Sequence, residues 1–232
     1  QNATLYRAPD ALAWSVVGTG IGDPAFGWAA SILSDTASPW TWDETNSVQI
    51  ALAQGTLDSK TALEVLNWAN VALLGDEIIQ WRNATLISAN LYQLSGLLRG
   101  RRGTEDATGA HSVGERFVVL ASGALYRTPM ATTEVGNTAY YKALLSGGNW
   151  DDAPTVSLAY KGRSLRCFAP AHIKGSRDGS GNLTLTWFRR PRWYGEWLDG
   201  VDAPLFEASE AYEVDVLNGT QVVRTLKVTS AT

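Results

Sequence analysis

Cysteine is almost absent from this chain of 232 residues. Cys167 stands alone, so neither an internal disulfide framework nor a cysteine-based zinc site can form, and stability has to come from packing. Histidine is nearly as scarce. His111 and His172 lie far apart in sequence and no Gly-x-Ser-x-Gly elbow accompanies them, which removes the usual material for nucleophilic catalysis or a transition-metal centre. Charge is thin as well, at 18% of residues, where about a quarter is usual for a soluble domain. The net charge of -4 argues against a broad electrostatic footprint for nucleic acid. The longest mostly apolar stretch, around Ala11–Val17, is far too short to span a bilayer, and no basic-then-apolar signal segment opens the chain, so no membrane insertion of its own is expected. Alternating long helical patterns are missing too, which disfavours a doubly wound α/β fold. A chain opening on Gln1 without Met is expected to be an excised or processed fragment.

Hydrophobic residues make up 45% of the chain, and ten of the residues are tryptophan. Indole carries a large apolar face and one donor, so it serves cores, interfaces and sugar platforms alike. The dominant pattern is short β-prone runs separated by turn residues, which predicts a mainly β fold. Thr4–Arg7, Ala11–Val17, Phe26–Leu33 and Ser47–Ala53 are such runs, and in the last of them Val48, Ile50 and Leu52 alternate onto one face. A tight meander follows through Asn70–Leu74, Glu77–Arg82, Thr85–Ser88 and Tyr92–Leu98, with turns expected at Gly75-Asp76, Asn83 and Asn90. Thr61–Trp68 fits a helix or a strand equally, because its helical spacing is short. Arg99–Asp106 reads as a glycine-rich hinge. Gly114–Tyr126, Thr138–Leu145 and Pro154–Tyr160 return to β alternation.

A composition shift near Cys167–Pro170 predicts a domain boundary, giving a first domain over 1–165 and a second over 168–232. In the second, His172–Gly175, Leu183–Arg189, Ala211–Leu217 and Gln221–Val228 read as four strands, with turn signals at Asp178–Asn182 and Asn218-Gly219. Alternation places Trp187 inward with Leu183 and Leu185, and Tyr212 on one face with Val214 and Val216.

Gly75–Trp81, Tyr92–Glu105, and His111 with Gly114–Phe117 resemble the large tail-tip (host specificity, tail hub) proteins of gene transfer agents and related siphophages. The stretch Leu94–Glu105, Leu-Ser-Gly-Leu-Leu-Arg-Gly-Arg-Arg-Gly-Thr-Glu, is the specific part of the likeness, which covers roughly residues 1–165. From about residue 168 the chain resembles a fibronectin type III domain, with Trp187 on the second strand and Tyr212 on the third. Four strands fall short of the seven such a sandwich needs, so this domain is expected to be incomplete. The resemblance implies a structural, non-enzymatic role in the virion tail tip, assembled in the bacterial cytoplasm. It implies a homotrimer, with other tail proteins (hub, distal tail, tape measure) as partners and a host surface glycan or receptor beyond them. Neither a cofactor nor a catalytic or metal-binding residue is expected.

Two groups of residues invite a functional reading. Arg99, Arg101 and Arg102, with Glu105, form an intersubunit salt link, a grip on DNA phosphate, or a solvated hairpin loop whose charge Glu105 or Asp106 answers. Trp193, Tyr194 and Trp197, beside Glu196 and Asp199, form either a glycan platform or a loop packed over its own domain. The glycine cluster Gly18–Gly22 fails as a dinucleotide fingerprint. Asp23 stands where a third glycine is needed, and Pro24 follows where a helix should begin. The acidic pairs Asp151-Asp152 and Glu207, Glu210, Glu213 read as local caps and solvated charges, since glycoside hydrolysis needs carboxyls that face one cleft.

Overall fold

In the computed structural model, which describes residues 3–20, 22–193 and 202–231, the chain is mainly β. The strands in chain order are β1 (Ala3–Ala8), β2 (Ser15–Gly20), β3 (Phe26–Ala29), β4 (Trp42–Gln54), β5 (Val71–Leu74), β6 (Glu77–Ser88) and β7 (Leu91–Leu98). They continue with β8 (Arg116–Val119), β9 (Thr138–Leu145), β10 (Val156–Ala159), β11 (Ala171–Arg177), β12 (Leu183–Phe188), β13 (Tyr212–Asn218) and β14 (Gln221–Val228). One short helix, α1 (Ala62–Leu66), lies between β4 and β5. The chain divides into two compact units, Gln1–Leu165 and Arg166–Thr232.

The first unit is organised around a closed antiparallel barrel of order β3-β4-β7-β6-β5-β8. Closure leaves no strand of this sheet with an unpaired edge. The alternation in β4 works as expected: Val48, Ile50 and Leu52 all enter the core, where Leu74, Ile79, Trp81, Leu94, Leu97 and Phe117 meet them. Leu94 and Leu97 are out of step with strict alternation, yet both are buried; Gly96 between them takes φ +61°, a conformation that suits glycine and re-aims the strand. The ladder between β4 and β7 is irregular between Asp43 and Ser47. Asp43 fills that irregularity by accepting the backbone N–H groups of Thr45 (3.2 Å) and Asn46 (2.9 Å).

Thr61–Trp68, ambiguous as sequence, contains α1. A capping box decides it: the Glu64 backbone donates to the Thr61 hydroxyl at 3.3 Å, and the Thr61 backbone donates to the Glu64 carboxylate at 2.8 Å. The far end is held by Gln80, whose amide donates to the carbonyls of Val65 (2.6 Å) and Ala69 (2.9 Å).

Other expectations need correction. Asn83 makes no turn, because β6 runs unbroken from Glu77 to Ser88 and pairs Asn83 with Ser95. The real turn is at Asn90, with φ +60°. Ala11–Val17 does not form one strand, since the Asp10 carboxylate accepts the N–H groups of Leu12 and Ala13, both at 2.9 Å, and β2 starts only at Ser15.

A second sheet of the first unit has the order β10-β9-β1-β2. On it Tyr6 and Trp150 pack edge to face at 4.9 Å, and Trp14 and Trp150 at 5.4 Å. The Lys142 ammonium sits 4.8 Å from the centre of the Trp150 ring.

The second unit contains two hairpins, β11-β12 and β13-β14, as separate two-stranded sheets among the described residues. Trp187 is buried and meets Tyr212 edge to face at 5.0 Å. The expected inward partners Leu183 and Val216 are exposed instead. Inward alternation therefore persists only where the two hairpins have each other to pack on.

Gly27 gives a direct test of barrel closure. A Cβ there would press into the Ala51 carbonyl and stand 2.8 Å from the Leu52 Cα. Gly27→Ala should destabilise the protein by about 1–3 kcal/mol in chemical denaturation. An unchanged midpoint would show that β3 does not lie this close to β4.

Candidate functional site

Strand alternation places Glu77 on the same inward face as Ile79 and Trp81, so β6 begins with a carboxylate aimed into the end of the barrel. Directly after β7 comes Arg99, whose side chain is fully buried. The two form a bidentate pair: Arg99 Nε donates to Glu77 Oε1 and Arg99 Nη2 to Glu77 Oε2, both at 2.9 Å. Arg99 Nη1 donates to the Ser34 carbonyl at 2.8 Å and to Asp43 Oδ2 at 3.2 Å, and Nη2 also donates to the Thr108 carbonyl at 2.9 Å. Every guanidinium donor therefore has an acceptor.

The cluster extends outward through histidine. His111 Nε2 lies 2.6 Å from Glu77 Oε2, and His111 Nδ1 lies 2.6 Å from Glu115 Oε1. Glu77 Oε1 also accepts the Gly100 N–H at 2.6 Å, and the Thr108 hydroxyl donates to Asp35 at 2.7 Å. Gly75 makes room, since a Cβ there would strike the Glu115 carboxylate.

Burial opposes charge on Glu77, yet its bonds from His111, Arg99 and Gly100 outweigh that and hold its carboxyl below the usual range. Asp43 is likewise pushed up by burial but held low by Asn46, Thr45 and Arg99. The Thr108 hydroxyl and the Thr36 N–H hold Asp35 low. For His111, burial lowers the pKa, but the bonds to Glu77 and Glu115 prevail and raise it above the ordinary value.

Chemically, this arrangement ties separate segments together through one charge network. Both imidazole nitrogens of His111 face carboxylates, so neither is placed to take a proton from a substrate. Among the described residues, no three His, Cys, Asp or Glu side chains converge as metal ligands. A shallow cleft lined by Gly75, Ala110, His111 and Glu115 opens beside the cluster.

The arginines singled out in the sequence separate. Arg99 does not lie in a solvated loop and has no surface to offer a neighbouring subunit or DNA; its carboxylates are Glu77 and Asp43, neither Glu105 nor Asp106. The chain turns directly after Arg99 at Gly100, φ +56°, whose N–H donates to Glu77 and so holds this point of the chain beside the arginine's own carboxylate. Arg101 Nε donates to Gln80 at 2.9 Å, beneath α1. Arg102 is exposed, with its guanidinium carbon 4.0 Å from the centre of the Trp68 ring. Glu105 opens a single 3-10 turn, and Asp106 pairs with Arg163 at 2.7 Å.

In the second unit Trp193 is exposed, next to the Arg192–Glu207 pair at 2.7 Å. Tyr194 and Trp197, with Glu196 and Asp199, lie outside the described residues. Glu207, Glu210 and Glu213 each hold a different cation, Arg192, Arg189 and Lys227; Glu207 and Glu210 line one pocket with Arg189, and Glu213 is not part of its lining. His172 meets the edge of Phe188, and Cys167 is exposed.

Sequence reasoning missed Glu77, Asp43, Asp35, Thr108 and His111 as one group. The available signal was Glu77 itself, a carboxylate at an inward position of an otherwise apolar strand.

Residues 25–118 match the family model described as Rcc01698-like, C-terminal, which is less than half of the chain. The matched stretch coincides with the barrel, from one residue before β3 to one residue before the end of β8. No curated protein matches the chain.

Arg99→Met leaves Glu77 and Asp43 buried without their cation. It should cost about 3–5 kcal/mol by urea denaturation, whereas a cost near zero would mean the pair is open to water. The pH dependence follows from the directions above. The carboxylates stabilise the fold above their ordinary 4.5 and 3.8 and lose this as pH falls through their lowered folded values. His111 stabilises it below 6.5 and loses this as pH rises through its raised folded value. The melting temperature should therefore be highest between about pH 4.5 and 6.5 and decline on the alkaline side. His111→Gln should remove that alkaline decline in calorimetry; an identical slope in both proteins would contradict the assignment.

Proposed function

We propose that this chain is a structural component of a phage-type tail tip, acting without enzymatic turnover by packing as an oligomer and linking the tail to host-recognition parts. The observation that carries the reading is the double role of one segment. Leu94–Glu105, the specific part of the resemblance to tail-hub proteins, lies inside the stretch matched by the Rcc01698-like family model. The same segment supplies the end of β7, the buried Arg99 and the Gly100 turn. A motif used this way builds a scaffold. Arg99 and Arg101 are taken up by internal bonds, and the histidine beside Arg99's partner Glu77 is held between two carboxylates.

Apolar surface supports the same reading. Val156 and Leu158 on β10, an edge strand, are exposed, as are Val222, Val223 and Leu217 on the second unit's hairpins. Such surface suits burial between neighbouring subunits. In this proposal the partners are further tail proteins (hub, distal tail, tape measure) and identical copies in a threefold ring.

The second reading, a carbohydrate-binding module, rests on exposed Trp193. Immunogold electron microscopy of purified particles, together with mass photometry of the isolated protein, separates the two. Label at the tail tip and a trimeric mass are expected. Particles without label, or a monomer retarded in a polysaccharide gel, would reject the tail reading and favour the module.

A further inference from the structure

Three connections meet outside the barrel: the short segment after α1, the β7–β8 crossover, and the chain that follows β8. Between them runs a groove with Val71, Ile78 and Val119 in its lining and Trp68, Arg102 and Arg127 at its rim. None of these three rim residues belongs to the buried ionic cluster. We propose that this groove docks an extended segment of a partner protein in which carboxylates alternate with aliphatic side chains.

Charge is the first argument. In this acidic chain Arg7, Arg82, Arg99 and Arg163 each hold a carboxylate. Arg102 and Arg127 are both exposed, and neither forms an ion pair among the described residues. Two guanidinium groups on one groove call for anions from outside.

Backbone conformation is the second. Seven non-glycine residues among those described have positive φ, and three of them, Trp68 (71°), Asn70 (54°) and Arg102 (57°), border this groove. Asn70 is locally rewarded, donating to the carbonyls of Asp58 (2.9 Å) and Trp81 (3.1 Å). Trp68 is the left-handed residue that ends α1, where its N–H donates to the Val65 carbonyl and the Ala69 N–H to the Glu64 carbonyl, both at 3.0 Å. Arg102 adopts an unfavourable conformation for a side chain of its size and lies over the Trp68 ring at the rim. Strain of this kind gathers where a surface is shaped for a ligand.

The chemistry selects the occupant. Guanidinium groups of both Arg101 and Arg102 already lie over the Trp68 ring, at 5.0 and 4.0 Å, and a sugar needs that face open. A phosphate chain would gain nothing from the aliphatic lining. Exposed Arg102 offers the planar fork of donors that a carboxylate matches, while Val71, Ile78 and exposed Leu125 receive aliphatic groups. The site stands on these observations alone and does not depend on the tail reading.

The test uses the whole chain and a fluorescein-labelled peptide of alternating glutamate and valine, followed by anisotropy at low salt. The wild type should bind it, and the Arg102→Gln/Arg127→Gln double variant should bind about tenfold more weakly with an unchanged melting temperature. A lysine-for-glutamate peptide should not bind. If Arg102→Gln lowers the melting temperature, the exposed Arg127→Gln variant alone should still weaken binding about threefold. No binding by the wild type, or equal binding by the double variant, overturns the proposal. So does tighter binding of oligothymidylate or polygalacturonate at the same arginines, or self-association that these variants abolish. Tail-tip labelling without peptide binding defeats this inference only; peptide binding by a protein absent from particles defeats the tail reading only.

Discussion

The bidentate pair between Arg99 and Glu77 is the constraint around which the barrel is organised. A guanidinium and a carboxylate without solvent are costly unless every donor and lone pair finds a partner. Here the partners come from separate places: β6, the β3–β4 connection through Ser34, the start of β4 through Asp43, and the crossover through Thr108. Shifting any of these segments would leave a buried charge unanswered. The pair thus selects one register among several that the aliphatic core alone would tolerate. An apolar plug of the same volume can match it in net stability, but it does not discriminate between registers.

That constraint also explains the long β7–β8 connection. A crossover of seventeen residues, 99–115, would ordinarily be a mobile surface loop. Instead, the Arg99 side chain holds the Thr108 carbonyl, Asp35 accepts from the Thr108 hydroxyl, and His111 is clamped by Glu77 and Glu115. Once this connection is fixed, Arg101 and Arg102 are delivered to Gln80 and Trp68 on the outside of the barrel. Internal charges set the fold, and Arg102 stays exposed.

The second unit is governed differently. It has no comparable buried ionic anchor among the described residues, and its order rests on Trp187 against Tyr212 and on ion pairs such as Arg189–Glu210. Two hairpins bury little apolar surface between them, so alternating residues further along the strands stay exposed.

Alternation and turn chemistry are local, and they were readable: Thr138–Leu145 and Gln221–Val228 are strands over the bounds expected of them, and Val48, Ile50 and Leu52 point inward as the pattern demands. The helix at Ala62–Leu66 was left open because five residues of periodicity carry too little information, although its capping box was present in Thr61 and Glu64. Asn83 misled because asparagine permits a turn without requiring one. By itself, then, the sequence determined a mainly β chain, most of its strands and, in the barrel strand β4, the face that is buried. Only the tertiary structure decided that six of them close into a barrel and that Arg99 belongs inside it. Its carboxylates stand 22 and 56 residues away, and no local periodicity encodes which distant charge a buried guanidinium will meet.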